Sequence, residues 1–519
     1  MTLPQMKLPG SIFSLLIGLA ACTSTPATAP VPVRPSQFGA VIPLPASMQL
    51  DTTKVFRVDT SVVVYVDQSA DSATLGVANY VRSMLAPYVR QDVQRVAATP
   101  LAAKSIRLAI DPSSANGDEG YALDITPEAI SIVAKSAAGL FYGVQTVRQL
   151  LPPSVENVGA LNRRLIVPSG HIVDSPRFAW RGLQIDVARH FLPPRDVKRF
   201  IDLISLYKIN RLHLHLSDDQ GWRIEIKSRP ALALVGGLTQ IGGGAGGYFT
   251  QDDYRDIVQY AASRFITIIP EIDMPAHLNA AMVSYPELTC DHVAPPVFTT
   301  VSAPRRVVLC VDSANVYPII DDIVREISDM TPGPYYHIGG DEVPRLTRTQ
   351  YVTFLERMQS IVNSHGKQMI GWADISIANL SPATIVQHWS TDSVQLHAAR
   401  GGKVIMSPGP HAYLDMKYDS TTVLGLKWAG YITPQTVYDW DPGTYRAGVP
   451  ESSVLGVEAP LWSETAVRAE DFEFLIFPRI ISMAEVGWTP QSLRTWSNFG
   501  PRLDVGRLRL KALGVNAGN

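Results

Sequence analysis

Residues 335–343 of the chain read Tyr-Tyr-His-Ile-Gly-Gly-Asp-Glu-Val, an apolar and aromatic run followed by two glycines and two adjacent carboxylates. Neighbouring side chains of a strand point to opposite faces, so Asp341 and Glu342 can serve one site only where the strand has ended. The glycines allow the backbone to bend and a ligand to come close. Like charges held together raise one pKa, which keeps a carboxylic acid protonated near neutral pH. The alternative is an Asp-Glu pair that merely begins a surface helix.

This segment is one of eight short apolar runs that alternate with amphipathic helices after residue 180. The predicted strands are 182–187, 209–216, 265–269, 335–338, 368–371, 384–388, 403–406 and 454–457, and the helices include 195–207, 251–263, 316–330 and 348–365. This alternation predicts an α/β fold, a (β/α)8 TIM-type barrel whose active site lies at the carboxyl ends of the strands. A doubly wound open sheet is the competing fold, but no Gly-x-Gly-x-x-Gly fingerprint follows the first strand. The glycine-rich run 242–247 lacks the Lys-Ser/Thr of a phosphate loop and predicts a lid or surface loop.

A small α+β support domain is predicted at 41–172, before the barrel and its C-terminal helix at 173–519. Runs 61–67 and 105–111 are rich in strand formers, 72–89 has helical spacing, and 121–134 predicts a hairpin. The net charge is -2 over 519 residues, without a basic stripe, so we expect no nucleic-acid partner.

The first residues predict export. Lys7 precedes the apolar run 12–21, which is too short to cross a bilayer, and Leu19-Ala20-Ala21-Cys22 resembles the bacterial lipoprotein cleavage box. We expect a signal peptide at 1–22, lipidation of Cys22 and a Pro/Ala/Thr-rich tether at 23–40. The protein would then be a periplasmic or outer-membrane lipoprotein of a Gram-negative-type envelope, held to the membrane by its anchor only. An ordinary secretory signal is the alternative.

The exported body retains two cysteines, Cys290 and Cys310. An oxidising compartment permits a disulfide between them, which is the pairing we expect. Two buried free thiols are the alternative.

Polar and aromatic side chains follow the ends of the predicted strands. Tryptophan faces pack on the apolar C–H faces of a pyranose, and carboxylates and arginine bind its hydroxyls. The set therefore predicts a sugar site, and its members are Asp186, Arg189, His190, His213, His215, Asp218, Asp219, Glu271, Asp273, His277, Asp341, Glu342, Trp372, Asp374, His388, Trp389, Tyr413, Asp415, Glu458, Trp462 and Glu464.

Each group has a plainer interpretation. His213 and His215 with Asp218 could bind a metal, but barrel interiors also hold such residues in hydrogen-bond networks, and we expect neither metal nor organic cofactor. Single tryptophans can be core residues, as we expect for Trp222. Asp219 and Glu271 could support the site from behind without contacting substrate. Arg189 and His190 could simply cap the end of the strand.

Six motifs, in order along the chain, resemble glycoside hydrolase family 20, the β-N-acetylhexosaminidases. They are WRGLQIDVARHF (180–191), HLHLSDDQGWR (213–223), PEIDMPAH (270–277), HIGGDEV (337–343), YLD (413–415) and EAPLW-S-E (458–464). Residues 41–172 are similar to the N-terminal α+β domain of that family. Ala276 and Ala373 depart from the family pattern, where glycine and an acidic residue are common. The resemblance implies an exo-acting retaining enzyme that removes terminal β-GlcNAc, with β-GalNAc as a further candidate.

The resemblance also implies roles for matching residues. Glu342 would be the general acid, and the acetamido oxygen of the substrate would be the nucleophile, forming an oxazolinium intermediate. Asp341 would accept the acetamide N–H, and Tyr413 would donate to the acetamide oxygen. Arg181 would bind the hydroxyls at C3 and C4, and Asp415 and Glu464 those at C4 and C6. The pocket wall would be formed by Trp372, Trp389 and Trp462. Asp218 and His277 would form hydrogen bonds behind the general acid.

Three rival functions follow from the same residues. A non-catalytic glycan-binding lipoprotein on this fold would be expected to have lost Asp341 or Glu342. A relative that releases disaccharides would need a pocket open at the end that Arg181, Asp415 and Glu464 are expected to close. A conventional retaining glycosidase would need a second carboxylate about 5–5.5 Å from Glu342.

Overall fold

The computed structural model describes residues 39–518 apart from 87, 98–103, 157–164, 302–306 and 391–392. The predicted signal peptide, the lipidation site Cys22 and nearly all of the predicted tether lie outside the described residues. Among the helices of the described part of the chain, none combines the length and the apolar character that a bilayer crossing requires.

A seven-stranded sheet comes first in the chain, with strands in the order β1-β7-β5-β6-β4-β2-β3. The predicted hairpin is the antiparallel pair β5 and β6. The long strand β1 was not predicted, because it lies at the sheet edge and most of its side chains are exposed or half-buried. The elements of this domain are β1 (Ser47–Val58), β2 (Val63–Asp67), α1 (Ser72–Met84), β3 (Gln94–Val96), β4 (Ser105–Ile110), β5 (Tyr121–Ile125), β6 (Ala129–Ala134), α2 (Ala137–Leu150) and β7 (Leu165–Asp174).

Eight parallel strands then close into a barrel, in the order β12-β13-β14-β15-β16-β17-β8-β9, which confirms the predicted fold. Each predicted strand overlaps one barrel strand. The strands are β8 (Trp180–Asp186), β9 (Arg211–His215), β12 (Thr267–Glu271), β13 (Tyr335–His337), β14 (Gln368–Trp372), β15 (Ile385–His388), β16 (Lys403–Met406) and β17 (Val454–Leu461), with a two-stranded ribbon of β10 (Ser217–Asp218) and β11 (Gly221–Trp222) after β9.

Helices surround the barrel and bury their apolar faces against it. In α3, Phe200, Ile201 and Ile204 have no exposed surface, as expected for an amphipathic helix that covers a sheet. The helices are α3 (Pro194–Ser205), α4 (Ala231–Leu234), α5 (Gln251–Ala262), α6 (Asn279–Ser284), α7 (Val316–Met330), α8 (Arg348–Ser364), α9 (Val394–Ala399), α10 (Gly409–Ala412), α11 (Pro434–Tyr438), α12 (Ala469–Ile476), α13 (Arg479–Trp488) and α14 (Trp496–Ala512).

The barrel interior changes from apolar to polar along its axis. A small cluster near the amino ends of the strands consists of Trp180, Ile269, Ile370, Ile385 and Ile405. Residues two positions further along a strand share its face, and there the buried side chains include His213, Glu271, Trp372, Gln387 and Glu458. The polar half of the interior therefore leads to the carboxyl ends of the strands, where the predicted site lies.

The N-terminal domain contacts the barrel through buried ion pairs. Lys208 Nζ lies 2.9 Å from Asp174 Oδ2, and neither side chain is exposed. Lys208 also donates to the Tyr121 hydroxyl at 2.9 Å. Because Lys208 precedes β9, these contacts lie at the amino ends of the barrel strands, away from the predicted site.

Candidate active site

Asp341 and Glu342 lie on a tight turn that follows β13. Gly339 and Gly340 have φ angles of 65° and 94°, in the left-handed region that favours glycine. A Cβ atom on Gly339 would lie 1.9 Å from Asp273 Oδ1, so a larger residue does not fit there. Glu342 itself has a φ of 53°, a conformation that strains any residue with a side chain. The turn replaces the alternation of a strand by a bend, which lets two neighbouring carboxylates face one site.

His277 lies between these carboxylates and a buried aspartate. Its Nε2 lies 3.4 Å from Glu342 Oε2 and 3.9 Å from Asp341 Oδ2, and its Nδ1 lies 3.3 Å from Asp218 Oδ2. Burial opposes charge on the ring, but Asp218 and Asp273 outweigh it and raise the pKa of His277 well above its usual value. The Glu342 side chain is 35% exposed and that of Asp218 only 1%. Glu342 therefore meets the pocket, with His277 and Asp218 behind it.

Asp341 lies mostly buried beside Glu342 and keeps one hydrogen-bond acceptor that no described residue satisfies. Its side chain is 14% exposed, and its Oδ1 has no hydrogen-bond partner among the described residues. Burial raises the pKa of Asp341 to about 6, with His277 opposing and the carboxylates of Asp374 and Glu342 reinforcing the shift. A buried oxygen without a partner costs free energy until a ligand or water satisfies it.

Two of the predicted tryptophans are fixed by hydrogen bonds from their indole N–H groups. Trp372 Nε1 donates to Glu271 Oε1 and Trp389 Nε1 donates to Asp374 Oδ2, both at 2.9 Å. The ring centroid of the third, Trp462, lies 5.8 Å from that of Trp372. Rings held in this way form rigid apolar walls.

Tyr413 is buried and remains a hydrogen-bond donor. Burial and the negative charges of Asp415 and Asp341 raise the pKa of Tyr413 well above its usual value, so the hydroxyl keeps its proton. Its ring packs edge-on against Trp428, with centroids 5.1 Å apart. Trp428 is 53% exposed and its ring also lies 6.2 Å from that of Trp389, so it extends the aromatic wall to the pocket mouth.

The far side of the pocket combines two carboxylates with one guanidinium. Both side-chain oxygens of Asp415 and Oε2 of Glu464 lack hydrogen-bond partners among the residues that the structure describes. Burial and the charge of Glu464 raise the pKa of Asp415 above its usual value. Arg189 Nη2 lies 2.7 Å from Asp218 Oδ2, and the guanidinium lies over the Trp462 ring, 5.0 Å from its centroid. Acceptors and donors in this arrangement suit the hydroxyls of a sugar.

Comparison with protein families places the chain. The model of the glycosyl hydrolase family 20 catalytic domain matches residues 178–351 and 345–491, and the model of domain 2 of that family matches residues 39–175. The chain belongs to glycosyl hydrolase family 20. It is therefore a glycoside hydrolase.

Relatives within family 20 match most of the chain. A β-N-acetylhexosaminidase of Cellulomonas fimi is 39% identical over 468 residues, which cover 89% of this chain and 92% of the relative. The solved family 20 β-N-acetylhexosaminidase of Streptomyces coelicolor has a TM-score of 0.87 and 42% identity, covering 92% of this chain and 97% of that one. The N-acetyl-β-hexosaminidase of Streptomyces plicatus in complex with thio-NAglucal has a TM-score of 0.88 and 44% identity over 94% and 97% of the chains.

The prediction that Arg181 binds substrate in this family 20 chain is wrong. Arg181 is the second residue of β8, so its side chain lies at the amino end of the barrel. Its guanidinium is fully buried and lies 2.9 Å from Glu119 Oε2 in the N-terminal domain, and it donates to the Phe178 carbonyl at 2.7 Å. Arg189, which follows the carboxyl end of the same strand, occupies the rim instead. The family motif contains both arginines, and strand direction distinguishes them.

The polar interior of the family 20 barrel offers possible metal ligands. Three groups of the described residues bring such atoms within 4.8 Å of one another, namely His213 with Glu271 and His337, Asp218 with Asp219 and His277, and Asp273 with His277 and Asp341. These side chains also bond to each other and to neighbours, for example His213 Nδ1 to Glu458 Oε1 at 2.8 Å. His215 bonds to Asp218 at 3.0 Å. Such pairing favours a hydrogen-bond network over metal ligation.

A disulfide fixes one segment of the rim. Cys290 and Cys310 are bonded, with Cα atoms 4.8 Å apart, as predicted. Within the loop that they close, the Thr300 carbonyl accepts from Gln220 Nε2 at 3.0 Å. The Thr299 carbonyl accepts from the backbone N–H of Gly242 at 2.8 Å. The glycine-rich loop is therefore tied to the disulfide loop.

Proposed function

We propose that this chain is an exo-acting, retaining β-N-acetylhexosaminidase that removes terminal non-reducing β-GlcNAc, and β-GalNAc as a second substrate, from oligosaccharides. A variant of the Streptomyces plicatus enzyme was solved with its product GlcNAc, which supports the sugar assignment. The observation that carries the proposal is the unpartnered Asp341 Oδ1 in the same pocket as the protonated Tyr413 hydroxyl. An acetamido group has an N–H for the first and a carbonyl oxygen for the second.

In the proposed reaction the acetamido oxygen of the substrate attacks its own anomeric carbon. Asp341 accepts the acetamide N–H and stabilises the positive charge that develops, while Tyr413 donates to the acetamide oxygen and orients it. Walls formed by Trp372 and Trp462 restrict the rotation of the group. Fixing an internal nucleophile in this way is worth about 7–11 kcal/mol at best.

Glu342 is proposed as the general acid and base. It protonates the leaving oxygen as the glycosidic bond breaks, and it then removes a proton from the water that opens the oxazolinium ring. Its partial exposure suits exchange with the leaving group, and the contact with His277 orients the carboxyl.

The exo mode is supported by the polar groups at the far side of the pocket. Arg189, Asp415 and Glu464 are proposed to bind the hydroxyls at C3, C4 and C6, as donors and acceptors that a further sugar would displace. Asp415 and Glu464 have buried unpartnered oxygens, which supports this role. A pocket closed by such groups accepts a chain end and releases single sugars.

We further propose that the protein is a lipoprotein of the cell envelope, anchored through Cys22. The Leu-Ala-Ala-Cys segment after an apolar run supports lipidation, and the Cys290–Cys310 disulfide supports an oxidising compartment. Metabolic labelling with palmitate checks this: label should enter the wild type and be lost in Cys22→Ser. Equal labelling of both would contradict it.

The function is tested with purified residues 37–519 and two aryl β-glycosides, the N-acetylglucosaminide and the plain glucoside. We expect fast release from the first only, and a severe loss in Asp341→Asn. Equal cleavage of both glycosides would contradict the participation of the acetamide. No release from either, with chitobiose still bound, would identify a glycan-binding protein. Release of disaccharides from longer chitin oligosaccharides would contradict the release of single sugars proposed here.

A further inference from the structure

Behind Glu342, a chain of ionisable side chains continues from the rim into the barrel. Beyond Asp218, His215 Nε2 lies 3.0 Å from Asp218 Oδ2, and His215 Nδ1 lies 2.5 Å from Glu271 Oε2. Glu271 Oε2 lies 3.1 Å from His213 Nε2. Carboxylates and imidazoles therefore alternate from the mouth of the pocket to the middle of the barrel.

The chain ends near the amino end of the first barrel strand. His213 Nδ1 lies 2.8 Å from Glu458 Oε1, and Glu458 Oε2 accepts from the indole N–H of Trp180 at 2.9 Å. All of these side chains are buried, with exposures of 0–1%. Burying a charged or polar side chain without a partner costs folding free energy. The alternation of carboxylates and imidazoles gives each of these side chains a partner.

His215 is held as an imidazolium by this geometry. Each of its ring nitrogens faces a carboxylate oxygen, and a ring with protons on both nitrogens donates to both of them. Burial opposes the charge, but Glu271 and the hydrogen bond of Asp218 outweigh it and raise the pKa of His215 to about 10. Asp218 in turn is held as an anion, because Arg189 and His277 outweigh its burial and lower its pKa well below the usual value.

We propose that His215 and Glu271 are positioning residues for the general acid. His215, clamped between Glu271 and Asp218, fixes the Asp218 carboxylate, and Asp218 acts through His277 to orient Glu342 and to set its acidity. The inference rests on the proposed function and extends it to two groups that touch no substrate. Without the positive charge of His215, every carboxyl group near it would hold its proton more tightly.

The sign of the pH effect follows from the charges that face these groups. His215→Gln removes one positive charge, which raises the pKa values of both Glu342 and Asp341. Both limbs of the profile of kcat/KM against pH therefore move to higher pH, by about one unit. The charged groups around His215 are Glu271, Asp218 and Asp186. Those around Asp218 are Arg189, His277 and Asp219. Those around Glu342 are His277, Asp341 and Asp374.

The test compares His215→Gln with His397→Gln in the mature chain. The control removes another fully buried imidazole, on α9, which hydrogen-bonds to the Thr384 carbonyl at 2.8 Å and lies outside the chain of side chains behind Glu342. We expect His215→Gln to shift both limbs and to lower kcat about tenfold or more with KM within about threefold. The control should leave the limbs within about 0.3 units, because burial lowers the pKa of His397 and its loss removes no positive charge. Unmoved limbs in a folded His215→Gln, or equal shifts in the two variants, would overturn the proposal.

Neutron diffraction of the wild type at pH 7 gives an independent measurement if the variants do not fold. Deuterons on both ring nitrogens of His215, pointing at Asp218 and Glu271, are the expected result. A single deuteron would overturn the proposal. Failure of the proposed function would show separately, as a wild type that is inactive towards the aryl N-acetylglucosaminide.

Discussion

Replacing Arg189 and Arg181, which belong to one motif, by glutamine tests which of the two binds substrate and which supports the fold. Arg189→Gln and Arg181→Gln both remove a buried guanidinium from the segment that carries β8, one after its carboxyl end and one at its amino end. We expect only Arg189→Gln to lower kcat/KM severely, because only Arg189 lies at the carboxyl end of the strand, beside Asp218.

The magnitudes follow from the contacts. A hydrogen bond to a charged group contributes about 1.5–3 kcal/mol, so loss of two from Arg189 to substrate hydroxyls costs about 3–6 kcal/mol of transition-state binding. That corresponds to a decrease of about 10²–10⁴-fold in kcat/KM. Arg181 contacts Glu119 at 2.9 Å and no part of the pocket. Its loss leaves Glu119, whose side chain is 23% exposed, with hydrogen bonds from Asn210 and Tyr142 but without its counter-ion. We expect this to cost about 1.5–3 kcal/mol of folding free energy and to change kcat/KM by less than about threefold.

The assay measures kcat/KM at 25 °C with the aryl N-acetylglucosaminide, alongside urea unfolding of both variants. Circular dichroism identifies the conditions in which both are folded. A folded Arg181→Gln enzyme that has lost activity a hundredfold would refute the assignment of the two arginines. So would an Arg189→Gln enzyme with wild-type kcat/KM.

Three further predictions concern the acid, its neighbour and the pocket mouth. Glu342→Gln should lower kcat by about 10²–10⁴-fold on alkyl glycosides and far less on dinitrophenyl glycosides, which need no protonation; equal losses would contradict its role as the acid. Burial raises the pKa of Asp341 to about 6 with help from Asp374, so Asp341 loses its charge, and kcat/KM falls, as the pH decreases through that value. Asp374→Asn should move this acid limb to lower pH, and an unmoved limb would contradict the cause assigned. Trp428→Ala should raise KM for N,N'-diacetylchitobiose by about 3–10-fold through lost stacking while that of the methyl glycoside stays constant; parallel changes would show that Trp428 does not contact the second sugar.

The barrel was predictable because its strands are short buried runs separated by amphipathic helices. Asp341 and Glu342 were also recognisable, since they follow two glycines at the end of a predicted strand, where the polar residues after the other strands are also expected. A motif that contains both Arg181 and Arg189 does not by itself distinguish them, because only the strand direction assigns each to one end of the barrel. Arg181 precedes the predicted strand 182–187 and Arg189 follows it, so the strand-end rule alone assigns Arg189 to the rim.

Other features depended on contacts that no local pattern encodes. Trp428 lies in a loop without periodicity, and its position beside Tyr413 and Trp389 results from tertiary packing. The polarity of His215 and Glu271 was visible in the sequence, but their partners lie on different strands. The edge strand β1 escaped prediction because an exposed edge does not require regular alternation.

The ion pairs under the barrel limit how the two domains can be separated. Lys208 and Arg181 belong to the barrel, whereas Asp174 and Glu119, their counter-ions, come from the preceding domain. A barrel expressed from residue 176 would carry two buried cations without their counter-ions. A leading domain from an unrelated protein would have to supply an acidic residue at each of the two positions. We therefore expect exchange of the leading domain to give a stable protein only when the new domain supplies both acidic residues.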